Sequence, residues 1–251
     1  MIKSALVVIP TTGADTLADA VQSVLQQTHS DTEVWAVVDG PFFAARAQEV
    51  LARYPAVKTL QLLENTGRDG FFGHRIYAAV SYLMNSDYVF YLDQDNWYEP
   101  GHVASMVGAC ERHAWSWCHS LRKIHRTSGE YVCEDDCESL GAWPTYVHPD
   151  QHLVDTSTYC IRREVIVRLA PAWYGRWGAD RQFYSAISTH APKFGCTAQS
   201  TVCYRLGGNP NSVPAAFFEE GNAVMAQRYP NGFPWRKAAS GIVEIGQPGR
   251  Y

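Results

Sequence analysis

Residues 89–96 read Val-Phe-Tyr-Leu-Asp-Gln-Asp-Asn, an apolar run that ends in two carboxylates one residue apart, Asp93 and Asp95. Side chains alternate along a strand with period two, so a strand ending on this motif is expected to present both carboxylates on one side. Two anions that close repel each other unless a divalent cation lies between them, bound by hard oxygen ligands. Mg²⁺ or Mn²⁺ in such a site usually also holds substrate phosphates, so the motif points to a phosphorylated substrate. The competing reading is a solvated turn, where Asp and Asn are common after a strand.

The elements that would position this pair alternate strand and helix over the first hundred residues. Residues 4–9 form a continuous apolar run, suited to a strand buried on both faces of a parallel sheet. Leu17, Ala20, Val21, Val24 and Leu25 then recur with helical spacing after Asp15 or Thr16 as N-cap. Glu33 to Val38 reads as a second strand ending in Asp39-Gly40-Pro41, and Val57 to Leu63 as a third. Phe43, Ala47, Val50 and Leu51 mark the helix between them, and Ile76, Ala79, Val80 and Leu83 the helix leading to the Asp93 strand. This rhythm predicts an α/β fold: one Rossmann-like, open, mostly parallel sheet flanked by helices. In such sheets ligands bind beyond the carboxyl ends of the strands, where Pro10, Thr11, Asp39 and Asp93 all fall.

After about residue 114 the rhythm breaks down. Ser128-Gly129 marks a hairpin-like turn, residues 159–170 a short strand and helix, Ala179 to Thr189 a helix, and Gln199 to Leu206 a strand. Gly207-Gly208-Asn209-Pro210 reads as a loop, and the tail after Pro230, with Gly241 and Gly246, shows no periodicity. No internal repeat or linker interrupts the chain. One domain over 1–251 is expected: a nucleotide-sugar half over 1–100, an acceptor and catalytic half over 101–230, and an irregular tail over 231–251.

Composition narrows the classes. The chain is 46% hydrophobic, enough for a full core, and its net charge of −4 disfavours a binder of nucleic acid that relies on phosphate neutralisation. The N-terminal apolar run is too short for a signal peptide, and no stretch approaches the ~18 apolar residues of a membrane span. A soluble, cytoplasmic protein is the expectation, and its seven cysteines are then reduced thiols. Cys133 and Cys137, followed by His148 and His152, approximate a zinc pattern, but the intervening Trp143-Pro144 leaves no clear helix to present the histidines, so chance spacing is the better reading.

Five segments, in order over residues 5–100, resemble the family-2 inverting glycosyltransferases of the GT-A fold. They are Val8-Ile9-Pro10-Thr11-Thr12, Ser23-Val24-Leu25-Gln26-Gln27-Thr28, Val37-Val38-Asp39-Gly40, Glu64-Asn65-Thr66-Gly67 and the Asp87 to Asp95 strand with its Asp-x-Asp ending. Arg75 falls where a basic residue often precedes the third helix of that family. Further on, Trp177-Gly178-Ala179-Asp180-Arg181 is similar to its Glu-Asp pair at a helix start, with Ala179 in place of the first acid. Thr201-Val202-Cys203-Tyr204-Arg205 resembles the strand carrying a Tyr-Arg near the donor diphosphate.

The resemblance implies a metal-dependent, inverting transfer of a sugar from a nucleoside-diphosphate donor, UDP-linked, to a carbohydrate or other hydroxyl acceptor. Asp95 is then the direct ligand of Mn²⁺ or Mg²⁺, with Asp93 on the ribose or reaching the metal through water. Pro10, Thr11, Thr12, Asp39, Asn65, Arg75, Gln94 and Arg205 fall to the nucleotide. Asp39 suits pyrimidine N–H or ribose hydroxyls because an ionised carboxylate only accepts hydrogen bonds; capping a turn is its bland alternative. Asp180 is the candidate general base, a role that helix capping would not exclude. Trp177 and Arg181 fall on the acceptor side. Of the tryptophans at 97, 115, 117, 143, 173 and 177, only Trp177 is singled out, since most tryptophans are core residues.

Two other readings compete. A sugar nucleotidyltransferase shares the sheet and the metal-binding Asp but usually carries a Gly-rich basic loop after the first strand, and Pro10 to Asp15 holds no Lys or Arg. A non-catalytic nucleotide-sugar or carbohydrate-binding module would bind donor without turnover.

Overall fold

The computed structural model describes residues 2–207 and 212–237. Its first half is built as the apolar runs dictate. β1 (Ala5–Thr11) leads to α1 (Leu17–Leu25), β2 (Thr32–Val38), α2 (Ala44–Leu51), β3 (Lys58–Gln61), α3 (His74–Val80) and β4 (Tyr88–Tyr91). β1 pairs in parallel with β2 and β4, and β3 lies parallel on β2 as an exposed edge. Residues 5–9 of β1 are wholly buried because helices cover both faces. Ala5, Val7 and Ile9 pack towards α1 and α2, while Leu6 and Val8 face Ile76 and Val80 of α3. Thr16 does stand at the N-cap of α1, but its side chain makes no capping bond and its hydroxyl is buried without a partner.

The second half is mixed. β5 (Trp97–Tyr98) and α4 (His102–His113) precede β6 (Trp117–His125), which turns at Ser128-Gly129 into β7 (Tyr131–Glu134). Gly129 takes φ +88, open to glycine and strained for other residues. β8 (Tyr159–Arg162), α5 (Arg163–Leu169), α6 (Ala179–His190), β9 (Phe194–Arg205) and α7 (Ala215–Arg228) complete the described chain. The sheet runs β3-β2-β1-β4-β8-β6-β9-β5, with β7 also on β6. It is parallel across β3 to β4; beyond that, β8 is antiparallel to both neighbours while β6 and β9 pair in parallel. The sheet is therefore continuous across both halves of the sequence.

Several boundaries differ from the sequence reading. β9 begins at Phe194, five residues before Gln199, because Phe194–Cys196 pair with Trp117–His119. α4 and α7 have no counterpart in the sequence reading. Part of the expected irregular tail is tied down: Trp235 is fully buried and its indole donates to Asp136 Oδ1 at 2.6 Å, while the Arg236 Nε donates to the same oxygen at 2.6 Å. The loop expected at Gly208-Asn209-Pro210 and the tail expected over 238–251 lie outside the described residues. Among the described residues no helix is long and apolar enough to cross a membrane.

Candidate active site

A cleft of about 860 Å³ opens at the carboxyl ends of β1, β2 and β4. Thr11, Asp39 and Asp93 line it because the parallel register ends these strands side by side.

The Asp-x-Asp segment reaches the cleft differently from the strand argument. β4 ends at Tyr91, and Asp93–Asn96 form a tight turn closed by the Asn96 N–H on the Asp93 carbonyl at 3.0 Å. Alternation along a strand therefore does not place the two carboxylates. The turn is held from beneath: buried Asn96 donates to Ser157 Oγ (3.1 Å) and accepts from the Arg205 backbone N–H (3.0 Å). Asp93 Oδ1 accepts from the Tyr77 hydroxyl at 2.6 Å, and its backbone N–H donates to Ser157 Oγ. Burial, with Asp95 and Asp155 nearby, pushes the Asp93 carboxyl up to about 7. Burial also raises the Asp95 carboxyl, with Asp155 adding to the effect.

Gln94, between the two, ties the turn to the end of β1. Its Oε1 accepts from Thr11 Oγ1 (2.7 Å), Thr12 N (3.0 Å) and Ala14 N (3.3 Å), and its Nε2 donates to Thr12 Oγ1 (3.0 Å). Pro10 and Thr12 line the same wall. Asp39 also lines the cleft, yet its carboxylate accepts from Thr66 N, Thr66 Oγ1 and Gly67 N at 2.7–2.8 Å. Three of its roughly four acceptor sites thus order the 66–67 loop, which is the turn-capping work anticipated as the bland alternative. Asn65 lines the cleft, with its Oδ1 accepting from the Arg68 N–H.

Across the cleft stand Trp177, Asp180 and Arg181. Gly178 at φ +88 starts α6, and Asp180 sits in its first turn with the Arg181 N–H on Oδ1 at 2.9 Å. Trp177 is 68% exposed, with the Arg181 guanidinium 5.4 Å from its ring centre. His74 joins them; its ring bonds the Gly175 carbonyl at 2.9 Å, and burial holds its imidazole below the ordinary range while Asp180 pulls the other way. The other tryptophans serve packing: Trp117 and Trp173 are fully buried and stack on Phe194 and Phe183.

Two expected donor-side cations do not line the cleft. Arg75 lies over the Phe71 ring at 3.5 Å. Arg205 is committed to Asp19 (2.6 Å), the Asp95 carbonyl (3.1 Å) and the Thr127 carbonyl (3.0 Å), so it braces the Asp93–Asn96 turn from outside. Nor do Cys133, Cys137, His148 and His152 converge: His152 bonds the Gly141 carbonyl and His148 lines the cleft.

Arg122 was missed by the sequence reading. It is 2% exposed, lines the cleft, and bridges Asp135 (2.8 Å), Glu138 (2.6 Å) and Asp155 (2.7 Å). No local pattern announces it, because its partners come from separate segments. Within the acidic run 134–138, Asp135 is buried on Arg122 and three backbone N–H groups, Asp136 and Glu134 hold Arg236, and only Glu138 lines the cleft.

The donor set suits a hard divalent cation. Asp93, Asp95 and Asp155 all line the cleft, and carboxylate oxygens are the hard ligands such an ion takes; Asp155 already shares Oδ2 with Arg122 at 2.7 Å.

Residues 6–132, just over half of the chain, match the family described as Glycosyl transferase family 2. No curated protein matches the sequence. Among solved structures, S. aureus TarS 1-349 superposes with a TM-score of 0.59 at 13% identity, over 91% of this chain and 72% of that one. The same protein in complex with UDP gives 0.59 at 14% over 94% and 68%, and in complex with UDP-GlcNAc 0.60 at 14% over 94% and 69%. At such identities the likeness concerns the fold, a GT-A arrangement. The family match, together with the carboxylate-lined cleft, assigns the chain to glycosyl transferase family 2, as a transferase.

Proposed function

We propose that this protein moves a sugar from a nucleoside-diphosphate donor, UDP-linked, to a hydroxyl acceptor with inversion, using Mn²⁺ or Mg²⁺ and Asp180 as general base. The observation that carries the reading is the meeting of Asp93, Asp95 and Asp180 on one cleft beyond the ends of the parallel strands. The TarS complexes with UDP and UDP-GlcNAc support a uridine diphosphate donor.

In this reading Asp95 holds the metal directly and Asp93 supports it or the ribose. Bound there, the cation supplies Lewis-acid stabilisation of the diphosphate charge that grows as the bond breaks. Gln94, Thr11 and Thr12 shape the wall for the nucleoside, with Asp39 keeping the 66–67 loop in place. Asp180 takes the acceptor hydroxyl's proton as that oxygen attacks the anomeric carbon, and the carbon–phosphate oxygen bond breaks with its electron pair leaving on the diphosphate. Trp177, exposed beside Asp180, offers a flat apolar face to an acceptor ring. The continuous sheet supports reading the chain as one domain, and seven free thiols fit the reducing cytoplasm.

The test is UDP release from a panel of UDP-sugars with Mn²⁺ and saccharide acceptors. Acceptor-dependent release that stops on chelation is expected. Donor binding with no release from any acceptor would favour the non-catalytic module instead.

A further inference from the structure

Away from the cleft, three thiols converge in the core. Cys110 comes from α4, Cys118 from β6 and Cys160 from β8, and all three are fully buried. Cys118 and Cys160 are directly opposed in the antiparallel β6/β8 register, so their side chains leave the same face of the sheet. α4 crosses that face, and Met106 and Cys110, four residues apart, point down together. The three sulfurs lie within 4.8 Å of one another, with Cys110 and Cys118 at 3.3 Å. The Met106 thioether stands 3.9 Å from Cys118 Sγ as a fourth sulfur.

We propose that Cys110, Cys118 and Cys160 form a buried trithiolate site for a soft d¹⁰ cation of the Zn²⁺ or Cd²⁺ kind, with Met106 as an auxiliary donor. Zinc–thiolate bonds of about 2.3 Å place ligand sulfurs about 3.8–4.0 Å apart, so small side-chain adjustments bring all three onto one ion. An all-sulfur set selects thiophilic metals, whereas the oxygen set at Asp93 and Asp95 suits Mn²⁺ or Mg²⁺. The two sites therefore take different ions. Each thiol releases its proton to solvent as the metal binds, so occupancy rises with pH. The bound ion clamps α4 onto β6 and β8, the strands that lead into the cleft wall.

Three buried thiols can also be ordinary small apolar core residues. The full-length chain, reduced and refolded with Cd²⁺ so that the ion can enter before the core closes, distinguishes the two. A thiolate-to-cadmium ultraviolet band saturating at one equivalent is expected, with a rise in Tm. Cys110→Ala or Cys160→Ser should abolish the band, whereas Cys133→Ser together with Cys203→Ser should leave it. Should those core variants not fold, Met106→Leu, which keeps the volume, should shift the band's position and weaken binding. A wild-type chain with no one-equivalent band, or a band that follows Cys133 and Cys203, overturns the site.

Discussion

The Tyr77 hydroxyl donates a 2.6 Å hydrogen bond to Asp93 Oδ1, joining α3 to the turn that carries Asp93 and Asp95. Tyr77 packs on Tyr91 and Trp173, and both Tyr77 and Asp93 line the cleft. Asp93 is thus held by Tyr77 from within the protein, and Asp95, two residues on, lines the cleft with it.

Tyr77→Phe removes this donor and leaves a buried carboxylate short of a partner. Chemical denaturation should show a loss of about 1–3 kcal/mol, the usual cost of such an orphan. Unchanged stability would mean that Asp93 does not depend on Tyr77.

Arg122→Met leaves Asp135, Glu138 and Asp155 facing one another without their shared cation. Breaking a buried ion pair from one side costs about 3–5 kcal/mol, and denaturation midpoints should fall accordingly. Arg46→Met, which removes an exposed pair with Asp15, should leave the midpoint nearly unmoved.

Much of the fold was open to the sequence, and the reason is physical. β1 and β4 are buried on both faces and show as unbroken apolar runs, and α1 places Leu17, Ala20, Val21 and Val24 on one stripe. α7 went unread because its apolar residues do not collect on one face, and β5 because two residues carry no period. In the cleft, Asp39, Gln94, Asp95, Trp177 and Asp180, named from the strand ends and from the family resemblance, all line the wall. Tyr77, His74 and Arg122 were not named, since each acts through partners that are distant in sequence. The same gap explains Arg75 and Arg205: a motif position names a charge, but Phe71 and Asp19 decide where it points.

Buried His102, bonded to Thr201 Oγ1, has its imidazole pushed down to about 3 by burial. Its folded pKa lies below the unfolded value near 6.5, so its stabilising contribution is present above pH 6.5 and is lost as pH falls towards the folded value. Denaturation of wild type and His102→Gln across pH 7 to 5 isolates this group. The wild type should lose about 1.4 kcal/mol per pH unit relative to the variant below pH 6.5. A constant difference would show that His102 is not held neutral.

Stereochemistry follows from the carboxylates that reach the sugar's side of the cleft. A double displacement needs a nucleophile as well as a base. Asp135, Asp136 and Glu134 are tied to Arg122 and Arg236, Asp155 has one oxygen on Arg122 and the other on the Ser157 N–H, and Glu138 has one oxygen on Arg122, leaving Asp180 as base for a single in-line step. NMR of the product's anomeric proton should show a β-linkage from an α-linked donor. An α-linked product would transfer the nucleophile's role to Glu138.

The central claim is that Asp180 removes the acceptor's proton, and Asp180→Asn tests it with one substitution that keeps shape and helix position. Turnover and donor affinity are measured together, by steady-state UDP release and by calorimetry with the UDP-sugar and Mn²⁺. A fall in kcat of roughly 10² or more, with donor Kd nearly unchanged, is the expected result. Weakened donor binding with undiminished turnover per bound donor would contradict it and move Asp180 to the donor site.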